Sequence, residues 1–256
     1  MLKKIKIPIL LLLFAVNTSS CYAQTEVKYP IPTKSFVKII KKFKVTECIK
    51  KTKKKPKECK TKTYASSGSG AAVFIHNNFD LVMTAGHMCD GNIKNFPFKD
   101  RVTKFEVSVD VLDHTNTTHA SEVVFHFSGN EKKGEPDLCL LYVPQLNIPK
   151  IRLSHIKPKV GDEVISMSAP MGVYHPPTVP IFEGRYSGRI NKIAAMVTVP
   201  SRPGSSGGPI LNNKGQLIGV IFAVSVYTEN ITLVSNYEQT KKFFSFARRA
   251  FSRSKK

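Results

Sequence analysis

The sequence predicts an all-β protein that ends in one α-helix, and three observations carry this. Short alternating or apolar runs recur along the chain with turn signals between them, as in a sandwich or a barrel. From Asn236 onward the spacing of apolar residues changes from that of strands to that of a helix. The charge is segregated: of a net +21 over 256 residues, the stretch 64–238 contributes nothing, and the excess lies at the two ends. At 41% hydrophobic residues the chain is long enough to bury a sizeable core. No second apolar segment is long enough to span a bilayer.

Residues 1–23 read as an export signal. Lys3, Lys4 and Lys6 precede an apolar run from Ile7 to Val16, and Cys21-Tyr22-Ala23 offers a small-residue cleavage site. Cys21 as a lipid-attachment site, or an uncleaved anchor, are the alternatives, and all three imply export to the periplasm or beyond, with membrane association as one outcome. Residues 24–63 form a basic segment with 14 Lys and 3 Glu. Ser35–Ile40 is expected to form a first strand and Phe43–Ile49 a second. Lys50-Lys51-Thr52-Lys53-Lys54-Lys55-Pro56-Lys57 is expected to be an exposed loop, because unpaired buried lysines are too costly. Such a loop keeps the chain soluble or attracts an anionic surface or polyanion. Without interleaved aromatics, nothing specific to nucleic acid is expected.

Further strands are expected at Ala71–Ile75, Phe105–Leu112, Ser121–Phe127, Leu138–Val143, Glu163–Ser168, Ile193–Val199, Pro209–Leu211, Leu217–Phe222 and Ile231–Val234. Tyr237, Phe243, Phe244, Ala247, Ala250 and Phe251 then recur at helical spacing, with Lys241, Lys242, Arg248 and Arg249 between them. This amphipathic helix is expected to pack on the C-terminal half of the fold, a membrane surface being the alternative. Residues 251–256 are a basic tail.

The chemistry centres on Pro203-Gly204-Ser205-Ser206-Gly207-Gly208-Pro209, a tight turn that presents a hydroxyl beside exposed N–H groups. Upstream lie Thr84-Ala85-Gly86-His87 and Glu135-Pro136-Asp137-Leu138. No histidine follows Ser206, which excludes the order of an α/β-hydrolase, and the subtilisin order would need an aspartate before His87 in a recognisable motif. His, Asp, Ser remains, the order of a double β-barrel protease.

Several segments then resemble one family in one order. They are Gly68-Ser69-Gly70-Ala71-Ala72-Val73, Leu81-Val82-Met83-Thr84-Ala85-Gly86-His87, Asp137-Leu138-Cys139-Leu140-Leu141, Val160-Gly161-Asp162-Glu163-Val164 with Pro170-Met171-Gly172, Ser206-Gly207-Gly208-Pro209-Ile210-Leu211, and Gly215-Gln216-Leu217-Ile218-Gly219-Val220. Together they resemble the trypsin-like serine proteases, in the bacterial glutamyl-endopeptidase and HtrA-like branch without a PDZ domain, over residues 64–250. Ser205 departs from the Asp or Asn usual at its place. The resemblance implies two six-stranded antiparallel Greek-key β-barrels and a serine endopeptidase acting on proteins or peptides. Ser206 would be the nucleophile, His87 the base and Asp137 its partner, with Asp110 and Asp113 as rivals, and the N–H groups of Gly204 and Ser206 would form the oxyanion hole. Pro200, Arg202, Phe222 and Ala223 would border the primary pocket, where the absence of an acidic residue argues against Lys or Arg specificity. No cofactor or metal is implied. Four cysteines remain after cleavage at Ala23, with three possible connectivities. Cys48–Cys59 would close the basic loop, and Cys89–Cys139 would tie the neighbourhoods of His87 and Asp137. The alternative function is an inactive homologue that binds polyanions or membrane surfaces.

Overall fold

The strands at the middle of the molecule are apolar on both faces because each separates two cores. A computed structural model describes residues 30–49, 58–75, 79–91, 102–225 and 230–253. The expected signal, the lysine-rich loop 50–57 and the last three residues of the tail lie outside the described residues. The first half comprises β1 (Phe36–Ile49), β2 (Glu58–Ala72), β3 (Leu81–Thr84), the one-turn helix α1 (Gly86–Cys89), β4 (Val102–Leu112), β5 (Thr118–Ala120), β6 (Glu122–Asn130) and β7 (Glu135–Tyr142). The second comprises β8 (Glu163–Met167), β9 (Ile181–Arg189), β10 (Ala194–Val197), β11 (Pro209–Leu211), β12 (Leu217–Val224) and β13 (Thr232–Ser235), and the chain ends in α2 (Tyr237–Arg253).

Side chains alternate across a strand, and here the alternation sorts them between cores. Along β7, Leu138 and Leu140 enter a cluster shared by the two halves, whereas Cys139 and Leu141 enter the interior of the first. Leu81 and Met83 against Val82 on β3 behave in the same way. On the other side, Leu217 and Val220 face the shared cluster and Ile218 and Ile221 fill the second interior. A strand buried on both faces reads as an unbroken apolar run, which is why these segments were legible.

The second half is a closed six-stranded barrel, in the order β10-β13-β12-β11-β8-β9. The expected two-barrel architecture holds, and the first half differs from the expected six-stranded barrel in strand count and closure. It is a seven-stranded antiparallel sheet, β5-β4-β1-β2-β3-β7-β6, whose edge strands are not joined by a ladder. Its edges β5 and β6 are separated by Ser121 alone, whose hydroxyl donates to Val109 O on β4. The sheet therefore curls until its edges meet at a corner without pairing along their length.

A second departure is β1. The two strands expected at Ser35–Ile40 and Phe43–Ile49 are one strand of 14 residues. Lys41-Lys42 looked like an interruption, but each lysine has a strand-compatible place. Lys42 projects to Asp110 at 2.6 Å, and Lys41 turns inward to two carbonyls. β1 and β2 pair from Phe36↔Ala71 to Ile49↔Glu58, and residues 59–66 of β2 are exposed. They form a solvent-bathed arm, paired also with β4 and closed across its outer end by the Cys48–Cys59 disulfide. Nothing in residues 58–67 or in β9 announced a strand, since the first is polar and the second polar and glycine-bearing, and both owe their conformation to pairing.

Asn236 caps α2, its side-chain oxygen accepting from Gln239 N–H at 2.9 Å. The helix was expected to lie on the C-terminal half. It bridges both halves instead: Phe243, Phe244 and Ala247 are buried in the shared cluster, and Phe243 packs on Phe125 of β6 at 4.8 Å. Among the described residues no helix is long and apolar enough to cross a membrane.

The packing makes two predictions. Phe243→Ala removes a fully packed ring and is expected to cost about 3–5 kcal/mol, whereas Phe246→Ala, at a ring that is 45% exposed, should cost much less. Urea denaturation of the two variants measures the difference. Tyr174 packs edge-on against Phe36 with its hydroxyl unpartnered, and burial, helped by the charge of Asp113, pushes its pKa up to about 12. The unfolded phenol ionises near 10, so the folded state holds the proton longer, and stability falls as pH rises from about 10 toward 12. Tyr174→Phe should flatten that alkaline limb and leave neutral-pH stability nearly unchanged, as read from denaturation midpoints across the range.

Candidate active site

The register of β3 against β7 brings His87 and Asp137 together. Thr84 pairs with Cys139, so one more step along each strand carries the chains past each other at the same end of the sheet. There β3 gives way to α1. One carboxylate holds His87 twice: Asp137 Oδ1 accepts from the His87 main-chain N–H at 2.7 Å, and Oδ2 lies 2.7 Å from Nδ1. The Asp137 side chain is 11% exposed and that of His87 41%, so the ring is presented to solvent from a buried anchor. Gly86 makes this approach possible. A Cβ there would lie 1.9 Å from Phe127 O and 2.6 Å from Asp137 Oδ1.

Two further contacts hold the short helix. The Cys89–Cys139 disulfide ties it to β7, across a Cα–Cα distance of 6.3 Å. Lys41, 6% exposed, donates to His87 O at 2.8 Å and to Asp90 O at 2.7 Å, capping carbonyls that α1 leaves open. Burial holds the Lys41 ammonium below the usual lysine range, with the charge of Asp90 opposing the shift. The sequence reading missed Lys41, because a lysine pair in a strand signals only exposure.

Ser206 sits on a turn that begins as Arg202-Pro203-Gly204-Ser205. Ser205 N–H donates to Arg202 O at 2.9 Å, and Gly204 has φ +96°. Proline second and a positive-φ glycine third are the signature of a type II turn. Gly207 N–H and Gly208 O bond Ile221 on β12, while Ser206 O accepts from Ser69 N–H on β2 at 2.7 Å. The turn also presses on the strand end before His87, since a Cβ on Gly207 would lie 3.0 Å from Ala85 N. Among the described residues, the N–H groups of Gly204 and Ser206 have no recorded partner. Ser205 is fully buried and accepts from Arg202 N–H through its hydroxyl, so it serves its own turn.

The rival aspartates are engaged elsewhere. Asp110 pairs with Lys42, and Asp113 accepts from Thr115 and Thr117 and lies 2.9 Å from His119 Nε2. Of the four expected pocket residues, Pro200 and Arg202 line a cavity of about 210 Å³, with Pro170, Phe182, Ser201 and Asn230. Phe222 and Ala223 lie on β12 outside that lining, and Phe222 packs against the first interior. Among the described residues no three His, Cys, Asp or Glu side chains converge to hold a metal ion.

Gly86→Ala is predicted to displace Asp137 from His87. The expected result is changed chemical shifts of the His87 ring and main-chain N–H in NMR spectra, from loss of the Asp137 hydrogen bonds, and lower stability, with both disulfides still formed by peptide mapping.

The fold is shared with the Rv3671c protease from M. tuberculosis in its active form, 17% identical, at a TM-score of 0.55 over 82% of this chain and 79% of that one. It is shared also with a serine endoprotease from Yersinia pestis, 17% identical, at 0.56 over 85% and 64%. Probable periplasmic DegP-like serine endoproteases of Pseudomonas putida and Ectopseudomonas mendocina are 35% and 34% identical over 88 residues, 33% of this chain. The matched stretch spans under a fifth of the length of those relatives. The trypsin-like peptidase domain family matches residues 68–220, from the strand that carries Ser69 through the turn that carries Ser206. The chain therefore belongs to the trypsin-like peptidases.

Proposed function

We propose that the chain is an exported serine endopeptidase that cleaves peptide bonds through an acyl-enzyme on Ser206. The observation that carries this reading is the double hydrogen bond of Asp137 to His87 beside a turn that offers one hydroxyl and two unpartnered N–H groups. A serine hydroxyl is barely nucleophilic near neutrality and needs a base. In the proposed mechanism Ser206 Oγ attacks the carbonyl carbon, and its proton passes to His87 Nε2. Asp137 keeps the Nδ1–H tautomer and stabilises the imidazolium. The developing oxyanion is received by the N–H groups of Gly204 and Ser206. His87 then returns the proton to the departing amine, and water repeats the sequence on the acyl-enzyme.

Among the described residues the cavity beside Pro200 and Arg202 has no carboxylate in its lining, which supports selection against Lys or Arg at the residue preceding the cut. Export is supported by the two disulfides, which persist in oxidising compartments, and by the periplasmic assignment of the DegP-like relatives. The inactive alternative has no observation in its favour.

A fluorophosphonate probe tests the reading. Wild-type protein is expected to label, and Ser206→Ala and His87→Ala are not. Asp137→Asn is expected to lower kcat about 10⁴-fold while the protein stays folded. Absence of labelling in oxidised, folded wild type would exclude the proposed nucleophile.

A further inference from the structure

We infer that Ser69, on the opposite half of the molecule from Ser206, is a positioning residue for the oxyanion hole: it holds both the Gly204 turn and the segment that keeps that turn correctly rotated. The inference rests on the reading of Ser206 as the nucleophile.

The hole depends on the orientation of one peptide unit. In a trans peptide the C=O and N–H point in opposite directions. Pro203 O accepts from Met171 N–H at 2.6 Å, which turns the Gly204 N–H the other way, where it has no partner among the described residues. A rotation of this unit would withdraw the N–H and put a carbonyl oxygen where the oxyanion must sit. Glycine offers little intrinsic resistance to such a rotation, so the restraint has to come from outside the turn.

Ser69 supplies it with every polar group it has. Its hydroxyl donates to Gly204 O at 2.8 Å and accepts from Ala169 N–H at 2.8 Å. Its N–H donates to Ser206 O at 2.7 Å, and its own carbonyl accepts from Thr84 Oγ1 at 2.7 Å. One hydroxyl thus ties the turn to the start of the 169–172 segment, whose Met171 N–H holds Pro203. Lys38 anchors the far end of that segment, its ammonium donating to Gly172 O at 2.7 Å. Ser69 is fully buried, so no bulk water takes over a bond it loses.

This role is distinct from that of a structural pin between the two halves, and labelling kinetics separate them. In fluorophosphonate labelling Ser206 Oγ attacks phosphorus, fluoride leaves, the hydroxyl proton passes to His87, and the phosphoryl oxygen needs the same donors as a peptide oxyanion. Losing one oxyanion donor costs about 10²–10³ in rate, so losing its support in Ser69→Ala is expected to slow labelling ~10-fold or more. KM for a peptide substrate should stay within about twofold, and the acid limb of the pH–rate profile should not move, because the His87–Asp137 pair is untouched. Lys38→Met should slow labelling in the same direction and by less. Labelling of Ser69→Ala within about twofold of wild type, a loss confined to KM, or a shifted acid limb would each overturn the inference. Should Ser69→Ala fail to fold, Lys38→Met decides: an unchanged labelling rate overturns the proposal, and slower labelling at unchanged KM upholds it. Wild type that does not label overturns the nucleophile reading and this inference with it, whereas labelling that is indifferent to Ser69 overturns this inference alone.

Discussion

One carboxylate, Asp137, governs the arrangement of this molecule, because it fixes both the main chain and the ring of His87. Burying a carboxylate is expensive unless charge-assisted hydrogen bonds replace its water. The surroundings of Asp137 meet that requirement and leave little freedom. Gly86 lets the histidine segment come close enough, the Cys89–Cys139 bridge holds the short helix to β7, and Lys41 takes up the carbonyls that the helix leaves open. Each of these features would look arbitrary alone; together they keep one imidazole at one angle.

The second requirement is that two halves of the chain meet at fixed distance. The shared apolar cluster supplies the cohesion: strands on each side donate alternate residues to it, and α2 closes it with Phe243, Phe244 and Ala247. Apolar contact is non-directional, so it cannot set the angle of a peptide unit. Directional bonds across the seam do that, and they converge on Ser69, Ala169, Gly204 and Ser206. Cohesion and orientation thus come from different residues on the same strands.

The basic excess of the N-terminal segment reads differently once its strands are placed. Lys42 and Lys44 of β1 and Lys104 of β4 face carboxylates on the same arm, Asp110 and Glu106. Exposed pairs of this kind add little stability, and the two carboxylates offset only part of the charge of these three lysines. The disulfide between Cys48 and Cys59 then limits fraying at the outer ends of the two strands, where residues 59–66 of β2 are exposed.

What the sequence determined alone was local. The Pro-Gly-Ser-Ser-Gly-Gly turn, the motif around His87, the run beginning at Asp137 and the amphipathic helix each carry their conformation or chemistry within a few adjacent residues, and their order along the chain excluded rival folds. The tertiary structure decided everything that depends on long-range pairing. Two expected strands merged into β1 because solvent on one side and carbonyls on the other suit its lysines. The first half stayed a curled sheet because its edge strands β5 and β6 follow one another across the single residue Ser121 and do not pair. Phe222 turned toward the first interior and away from the cavity of Pro200 and Arg202. Ser69, a small residue in a glycine-rich strand, became the joint of the site only because folding placed residues 100 and 135 positions away against its hydroxyl. Such contacts leave no periodicity or spacing in the chain, since hydrogen-bond partners are chosen by proximity in space.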